Sequence, residues 1–250
     1  MMKNRLFLIL SFLVFGSFTV NGQTAVEIIQ KSQDLINGAQ SYAEMDITII
    51  RPKYTRTMSM KSWTKGEKYA LMLVTAPVKD KGTVFLKRDK EVWNWVPNID
   101  RSIKLPPSMM SQGWMGTDMT NDDLIRQTSL TKDFTHTLHG TEMLDGMECY
   151  KITLVPKANT AVVWGKITVW IEKVHFNQLK ANFYDEDDEL VNTFKGSEMK
   201  KFGNKTLVSK FEMIPADKPG NKTMMIYKTL DFQVKLSDDF FTTQNMKKVK

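Results

Sequence analysis

Cysteine and histidine are scarce in this sequence of 250 residues, which contains one cysteine, Cys149, and three histidines. A single cysteine excludes an intramolecular disulfide, so a hydrophobic core must stabilise the fold. The sequence also lacks a glycine-rich phosphate loop and a nucleophile elbow. These absences predict a protein that is not an enzyme and that uses no cofactor.

Long apolar runs are missing after the N-terminus. Lys3 and Arg5 precede one apolar stretch from Leu6 to Val20, whose 15 residues are too few for a bilayer span of about 20 residues. This pattern is typical of a secretory signal peptide, and no cysteine marks a lipid attachment site at the cleavage point. We therefore predict that residues 1–22 are cleaved after Gly22 and that residues 23–250 form a single, soluble periplasmic domain.

Negative charge is in deficit, since the formal net charge is +7 and stays at +5 after the two basic residues of the signal are removed. For an exported protein, this balance favours an anionic membrane surface or an acidic partner over nucleic acid. The alternative is an ordinary lysine-rich surface, because the lysines are dispersed. We expect a monomer that does not bind nucleic acid.

The spacing of apolar residues changes at residue 41, from the period of a helix to the alternation of a strand, and this change predicts the secondary structure. Residues 25–37 predict an amphipathic helix, with Thr24 and Glu27 as a capping box and Gly38 as its end. Alternating runs then predict strands at residues 41–51, 55–65, 67–75, 83–88, 91–96, 101–105, 133–143, 147–156, 165–173, 178–185, 189–202, 205–215 and 221–235. We predict a mainly β (α+β) fold: a curved, incomplete antiparallel β-barrel of about 11 strands, with two or three helices covering its concave face.

Residues 106–124, called the Met-rich loop below, read PPSMMSQGWMGTDMTNDDL. Loops are usually polar, so an apolar loop is either a buried plug or a lid. Thr120 with Asp122 and Asp123 predicts a short capped helix at its end. We interpret the loop as a lid, and its proposed contact residues are Met109, Met110, Trp114 and Met115.

Several strands are apolar on both faces, notably residues 69–74 and 92–96. Burial on both faces means that one face packs in the core and the other lies under a helix or lines a cavity. We predict a lipid-binding cavity, although each of its residues also suits an ordinary core. The candidate residues are Met58, Met60, Met72, Phe85, Trp93, Trp95, Trp170 and Phe183.

Other chemistry has weak support in the sequence. His136 and His139 lie three apart in a predicted strand, which directs them to opposite faces and disfavours a shared metal. Cys149 is expected to be a buried structural thiol, and residues 185–189, DEDDE, suit a solvated hairpin turn better than a calcium loop. The methionines of the Met-rich loop suit Cu(I) in principle, but apolar lining explains them better. We predict no metal site.

The order of these segments resembles the LolA/LolB-type periplasmic outer-membrane lipoprotein-sorting (LolA-like) family. The matching parts are the N-terminal helix, the stretch TAPVKDKGTVFLKRDKEVWNWVPNIDRSIKL at residues 75–105, and MGTDMTNDDL at residues 115–124. The resemblance implies a half-barrel that encloses acyl chains of lipoproteins. It also implies an inner-membrane transporter and an outer-membrane acceptor as partners.

We therefore predict a non-enzymatic periplasmic carrier that shields acyl chains of lipoproteins or related lipids and delivers them toward the outer membrane. The main alternative is a lipid-sensing regulatory module, or a binding partner of a transporter, built on the same fold. A periplasmic hydrolase and a Cu(I)-handling protein are weaker alternatives.

Overall fold

The computed structural model describes residues 23–37, 39–125, 129–158, 160 and 162–250. The predicted signal peptide, residues 1–22, lies outside the described residues. Within the described ranges, no helix combines the length and the apolar character that a bilayer crossing requires.

The N-terminal helix, α1, spans Ala25–Asn37, as its amphipathic pattern predicts. Its capping box is confirmed: the Thr24 backbone N–H donates to Glu27 Oε2 at 2.8 Å, and the Glu27 N–H donates to Thr24 Oγ1 at 3.3 Å. Ile28 and Ile29 are buried, so these two residues attach the helix to the sheet. The predicted end at Gly38 lies outside the described residues.

In the described part of the chain, thirteen strands follow α1, and each corresponds to one of the predicted runs. The first six are β1 (Gln40–Arg51), β2 (Tyr54–Lys65), β3 (Tyr69–Ala76), β4 (Val84–Arg88), β5 (Glu91–Val96) and β6 (Arg101–Lys104). After α2 (Asn121–Ile125) come β7 (Phe134–Leu144), β8 (Met147–Pro156), β9 (Lys166–Glu172), β10 (Gln178–Tyr184), β11 (Leu190–Phe202), β12 (Lys205–Pro215) and β13 (Lys222–Asp231).

All strands belong to one open antiparallel sheet with the order β6-β5-β4-β3-β2-β1-β13-β12-β11-β10-β9-β8-β7. Two meanders are therefore joined where β1 pairs with β13. A sheet of this width curves because neighbouring strands twist relative to one another. The mainly β fold is confirmed, but the count of about 11 strands was too low. Each of the thirteen predicted runs pairs in the sheet of the described residues, including the four-residue edge strand β6, whose residues are all exposed.

The two edge strands, β6 and β7, are consecutive in the sequence. The segment between them contains the Met-rich loop and α2, and it must pass from one edge of the sheet to the other. Because the sheet is curved, the short route crosses its concave side. The strand order thus places the Met-rich loop over the concave surface.

Candidate functional site

One face of the sheet is apolar across both meanders. Residues directly opposite each other on antiparallel strands share a face. One such row runs from β1 to β8: Ile49, Thr223, Met213, Phe194, Ala181, Val169 and Ile152. We call the face that contains this row the inner face, and the opposite one the outer face.

Methionine and other apolar side chains cover the inner face of β1 to β5. They form one buried cluster with members from every one of these strands. The members on these strands are Ala43, Met45, Ile47, Ile49, Met58, Met60, Ala70, Met72, Val74, Phe85 and Val92. Four of the predicted cavity residues, Met58, Met60, Met72 and Phe85, are therefore brought together here.

The Met-rich loop packs on this cluster. Trp114 is 0% exposed, and its ring meets Phe85 edge-on with the ring centroids 5.5 Å apart. Met110 and Met119 are also buried in the cluster, and Met115 packs against it. Met109 is partly exposed at the start of the loop. In this state the loop fills the inner face with its own side chains, as a plug does.

Internal hydrogen bonds hold the loop in shape. The Trp114 N–H donates to the Met119 carbonyl at 2.8 Å, and Thr117 Oγ1 donates to the Trp114 carbonyl at 2.7 Å. The turn between them needs two left-handed residues, Met115 with φ +46° and Gly116 with φ +81°. This turn presents Asp118 to the sheet.

A buried ion pair anchors the loop to the sheet. Arg51 Nη1, at the end of β1, donates to Asp118 Oδ2 at 2.9 Å, and the two side chains are 13% and 7% exposed. Arg51 Nη2 donates to the Gly116 carbonyl at 2.9 Å. Thr223 Oγ1 on β13 donates to the same carboxylate oxygen at 2.7 Å. Asn192 on β11 completes the anchor, since its Nδ2 donates to the Asp118 carbonyl at 3.2 Å.

The end of the Met-rich loop forms α2, and its predicted cap is confirmed. The Thr120 N–H donates to Asp123 Oδ2 at 2.8 Å, and the Asp123 N–H donates to Thr120 Oγ1 at 3.0 Å. The other oxygen of Asp123 accepts from Trp164 Nε1 at 3.0 Å. Burial raises the pKa of the Asp123 carboxyl above its ordinary value, although hydrogen bonds to this carboxyl from the Thr120 backbone, the Trp164 indole and the Thr120 hydroxyl oppose the shift.

The second half of the inner face lies under α1. Ile28 and Ile29 pack there in a cluster with Phe134, Ile152, Leu154, Trp164, Ile167, Val169, Ile171 and Ala181. The predicted cavity residue Phe183 packs against this cluster and against the first one, so the two clusters meet. Together, α1 and the Met-rich loop cover the concave surface.

The structure places three predicted cavity residues on the outer face. On β5, Trp95 pairs with Val84 of β4 and Trp93 pairs with Leu86. Val84 and Leu86 flank the inner-face residue Phe85 in the sequence, so they and the two tryptophans lie on the outer face. Trp170 follows the inner-face residue Val169, and its ring lies beneath the ammonium groups of Lys151 and Lys180, at 5.3 and 4.6 Å from its centroid. Trp93 and Trp95 are not brought together with the methionines, whereas Trp170 belongs to the same buried cluster as Met58, Met60 and Met72.

The C-terminal segment, residues 232–250, covers part of the outer face. Phe241 and Met246 are buried in a cluster with Leu71, Leu73, Val84, Leu86 and Trp95. This packing explains why residues 69–74 and 92–96 are apolar on both faces. The Met-rich loop covers one side of these strands and the C-terminal segment covers the other.

Sequence reasoning missed the anchor residues Arg51, Asp118, Thr223 and Asn192. Arg51 and Asp118 are 67 residues apart, so no local pattern connects them. The one available signal was that Asp118 lies in the segment MGTDMTNDDL, on which the family resemblance rests.

The residues considered for catalysis have separate structural partners. His136 Nε2 lies 2.7 Å from the Leu130 carbonyl oxygen, and His139 Nε2 lies 2.9 Å from Thr153 Oγ1. Burial raises the pKa of the Cys149 thiol to about 11, which disfavours the nucleophilic thiolate. Among the described residues, no three His, Cys, Asp or Glu side chains are grouped closely enough to hold a metal ion.

The acidic run at residues 185–189 forms the turn between β10 and β11. Asp185 Oδ1 accepts from the backbone N–H groups of Asp187 and Glu189, at 3.0 and 2.9 Å. The hairpin turn predicted from the sequence is therefore confirmed.

Comparisons with known proteins identify the family. A family model with the description "Uncharacterized protein" matches residues 66–248, more than half of the chain. The chain belongs to this family. A search of curated proteins gives no match.

Solved structures show that the fold is LolA-like. A LolA superfamily protein from Nitrosomonas europaea superposes with a TM-score of 0.77 at 21% identity, covering 90% of this chain and 100% of that one. A DUF1329 family protein from Desulfovibrio piger gives 0.80 at 23% identity, with 89% and 97% covered. A Vibrio parahaemolyticus domain named for outer membrane lipoprotein sorting gives 0.78 at 22% identity, with 89% and 98% covered. The resemblance to LolA-type proteins is thereby confirmed for the fold.

Proposed function

We propose that this LolA-like protein is a non-enzymatic periplasmic carrier for acyl chains of lipoproteins or related lipids. One observation carries the proposal: a loop covers the apolar inner face, and a buried ion pair with a few hydrogen bonds around Asp118 anchors that loop to the sheet. The inner-face residues Met58, Met60, Met72, Phe85 and Phe183 would contact the lipid. Met109, Met110, Trp114 and Met115 would act as the lid.

The energetics suit reversible exchange of the loop for lipid. Burying a side chain such as Met or Trp is worth about 1.5–3 kcal/mol, and burying one CH₂ about 0.8 kcal/mol. Roughly six to eleven methylene groups therefore compensate for displacing Met110, Trp114 and Met119 from the inner face. One acyl chain is long enough to do this. The loop-covered and lipid-loaded states then have similar free energies of apolar burial.

The proposed route places the carrier between two membranes. An inner-membrane transporter would supply the acylated cargo, and an outer-membrane acceptor would receive it. The predicted signal peptide supports this location, and the basic net charge suits approach to anionic membrane surfaces. We propose that the carrier acts as a monomer, since one chain supplies the whole inner face and its cover.

Lipid analysis tests the proposal directly. The full chain should be expressed in a Gram-negative host, purified from the periplasm without detergent, and extracted for mass spectrometry. We expect acylated molecules in the extract and displacement of a fluorescent fatty-acid probe by added lipid. A lipid-free protein that binds neither the probe nor a purified lipoprotein would refute the proposed function.

A reversible crosslink tests whether loop movement is required. Hydrogen bonds of 2.9 and 2.7 Å link Asp118 to Thr223, so these positions are within reach of each other. We expect Asp118→Cys/Thr223→Cys to lose probe uptake when oxidised and to regain it when reduced. Asp118→Cys alone and Thr223→Cys alone are the matched controls, since neither variant can form the crosslink between these two positions. Equal uptake by the oxidised and reduced double variant would exclude a lid function for the loop.

A further inference from the structure

The sheet is open, and one of its edges is the strand β6 (Arg101–Lys104), which pairs only with β5 in the described part of the chain. Its residues are all exposed, and their pairing with β5 shows no register shift. The other edge, β7, contains a bulge between Leu138 and Thr141, a feature that protects edge strands from pairing with other chains. An edge without such a bulge is a template for an additional strand.

The backbone groups of Ser102 and Lys104 point away from the sheet. The Leu105 N–H donates to the Val92 carbonyl at 2.8 Å, so these two residues form a hydrogen-bonded pair. Bonded and non-bonded pairs alternate along an antiparallel ladder, so the backbone of Ile103 is bonded to β5 and that of Ser102 and Lys104 is not. No described residue pairs with their backbone groups on the open side. The edge therefore offers two donors and two acceptors to a further strand.

A basic groove lies on the outer face beside this edge. Lys104 pairs with the outer-face residue Trp93, so the side chains of Ser102 and Lys104 are on that face too. Both residues line a groove of about 540 Å³, together with Trp93 and with Lys247 and Lys248 of the C-terminal segment. No acidic residue of the described chain is part of its lining.

Acidic side chains at the rim neutralise only part of the charge of the basic groove. Lys104 pairs with Glu91, and Lys247 Nζ lies 3.5 Å from Asp100 Oδ1. All four side chains are at least half exposed, so these ion pairs are weak. Lys248 has no acidic partner among the described residues. The groove therefore keeps a net positive charge.

The side chains of β6 determine which strand this edge can accept. Two copies of β6 would bring Arg101 and Lys104 of each copy close to those of the other, and like charges on neighbouring strands are destabilising. An acidic strand avoids this repulsion, because its residues opposite Ser102 and Lys104 would lie over the basic groove. Its alternate residues would lie beside Ile103, which is on the inner side of β6 and 44% exposed, so apolar side chains fit there.

We propose that β6 and the basic groove bind an extended acidic segment of a partner protein as an additional strand, antiparallel to β6. Acidic and apolar residues alternate in this segment. The antiparallel direction matches the rest of the sheet and is slightly more stable per residue than the parallel one. The segment would bind directly before the Met-rich loop, which follows β6 in the chain. This inference does not depend on whether the inner face holds lipid.

Model peptides test the pairing. A capped, fluorescently labelled peptide of alternating glutamate and valine, long enough to span β6, should bind the purified protein in a polarisation assay. Its affinity should fall as salt is raised, since the charges involved are exposed. The same peptide with lysine in place of glutamate should not bind.

Two N-methylated peptides separate strand pairing from charge attraction alone. In the antiparallel arrangement, the glutamates exchange backbone hydrogen bonds with Ser102 and Lys104, and the valine N–H groups point to solvent. Methylation of the glutamate N–H groups should therefore abolish binding, whereas methylation of the valine N–H groups should preserve it. The two peptides have equal charge and composition, so each is the matched control of the other.

Variants of the protein assign the contributions to residues. Ser102→Pro removes an outward N–H, at an edge position where proline is tolerated, and should weaken binding about tenfold. Ser102→Ala keeps this N–H and should bind as the wild type does. Lys248→Glu reverses one charge of the basic groove and should weaken binding about fivefold. Lys201→Glu, at an exposed position on β11, makes the same charge change and should have no effect.

Binding that glutamate methylation and Ser102→Pro both remove supports the inference. Three results would each overturn it: no binding of the unmodified peptide, equal binding of the two methylated peptides, or equal binding by Ser102→Pro and Ser102→Ala. Binding of vesicles that contain phosphatidylglycerol, without binding of the peptide, would show that the basic groove attracts a membrane surface and would also overturn it. The peptides contain no acyl chain, so these results leave the carrier function to its own test.

Discussion

Removing the guanidinium of Arg51 should release the Met-rich loop from the inner face. Arg51→Met keeps most of the side-chain length but leaves the Asp118 carboxylate, 7% exposed, without its cation. Breaking a buried ion pair in this way costs about 3–5 kcal/mol if the loop stays closed. Thr223 still donates to the carboxylate, which lowers the cost toward the smaller value. The loop can avoid the cost by opening, since Asp118 then enters water.

The closed state should therefore lose about 3 kcal/mol relative to the open one, which corresponds to roughly a hundredfold rise in the open fraction. Hydrogen exchange measures this fraction, because an amide exchanges only when its hydrogen bond opens. The Trp114 N–H, bonded to the Met119 carbonyl at 2.8 Å, reports on the loop itself. Its exchange should be about a hundredfold faster in Arg51→Met, with amides of β12 unchanged.

Two further variants make the test decisive. Arg56→Met breaks the neighbouring ion pair to Asp80 and serves as the control, since neither residue contacts the loop through a hydrogen bond in the described structure. Arg51→Met/Asp118→Asn removes both charges, so the loop should exchange more slowly than in Arg51→Met alone. Equal exchange in Arg51→Met and Arg56→Met, or no recovery in the double variant, would refute the anchoring role of the ion pair.

Three other predictions concern the two faces and the buried ionisable groups. Phe85→Ala and Phe241→Ala should each lower the free energy of unfolding by about 3–5 kcal/mol in urea melts. Only Phe85→Ala, which alters the inner face, should change the affinity for an acyl probe. Equal effects of the two variants on affinity would contradict the assignment of faces. Burial opposes ionisation of Glu172, but hydrogen bonds from Asn177 and its neighbours outweigh it and lower the pKa of the carboxyl below 4.5. That stabilisation is present above the unfolded value of 4.5 and is lost as pH falls through the lower folded pKa, so Glu172→Gln should flatten the fall in stability that the wild type shows below about pH 4.5. Because the pKa of Cys149 is raised from 9.0 to about 11, iodoacetamide should label it only after unfolding, and rapid native-state labelling would show that the thiol is accessible.

Local sequence patterns were sufficient for the secondary structure. The capping box of Thr24 and Glu27 defined where α1 begins, because a cap acts within one helical turn. The Asp145-Gly146 pair marked the turn between β7 and β8, where both residues have positive φ, 50° and 80°. Alternation of apolar residues located half-buried strands such as β1, and runs of apolar residues between turns located strands that are buried on both faces, such as β3. These are short-range effects, so they are readable from neighbouring residues.

The lid hypothesis combined a local signal with a nonlocal one. The excess of methionine and tryptophan in residues 106–124 showed that the loop is unsuited to water. Its position over the inner face followed from the strand order, in which β6 and β7 are the two edges of one sheet. The anchor of Arg51 to Asp118 depended on that order too, since the sheet brings together residues far apart in the chain.

The sequence by itself determined the strands, the caps of both helices and the apolar character of the Met-rich loop, because periodicity and capping act over a few residues. The tertiary structure decided which face each strand turns inward. Trp93 and Trp95 alternate as clearly as the inner-face methionines do, but pairing with β4 places them under Phe241 and Met246 instead. A strand has two equivalent faces until its neighbours are known, and a shift of one residue exchanges them.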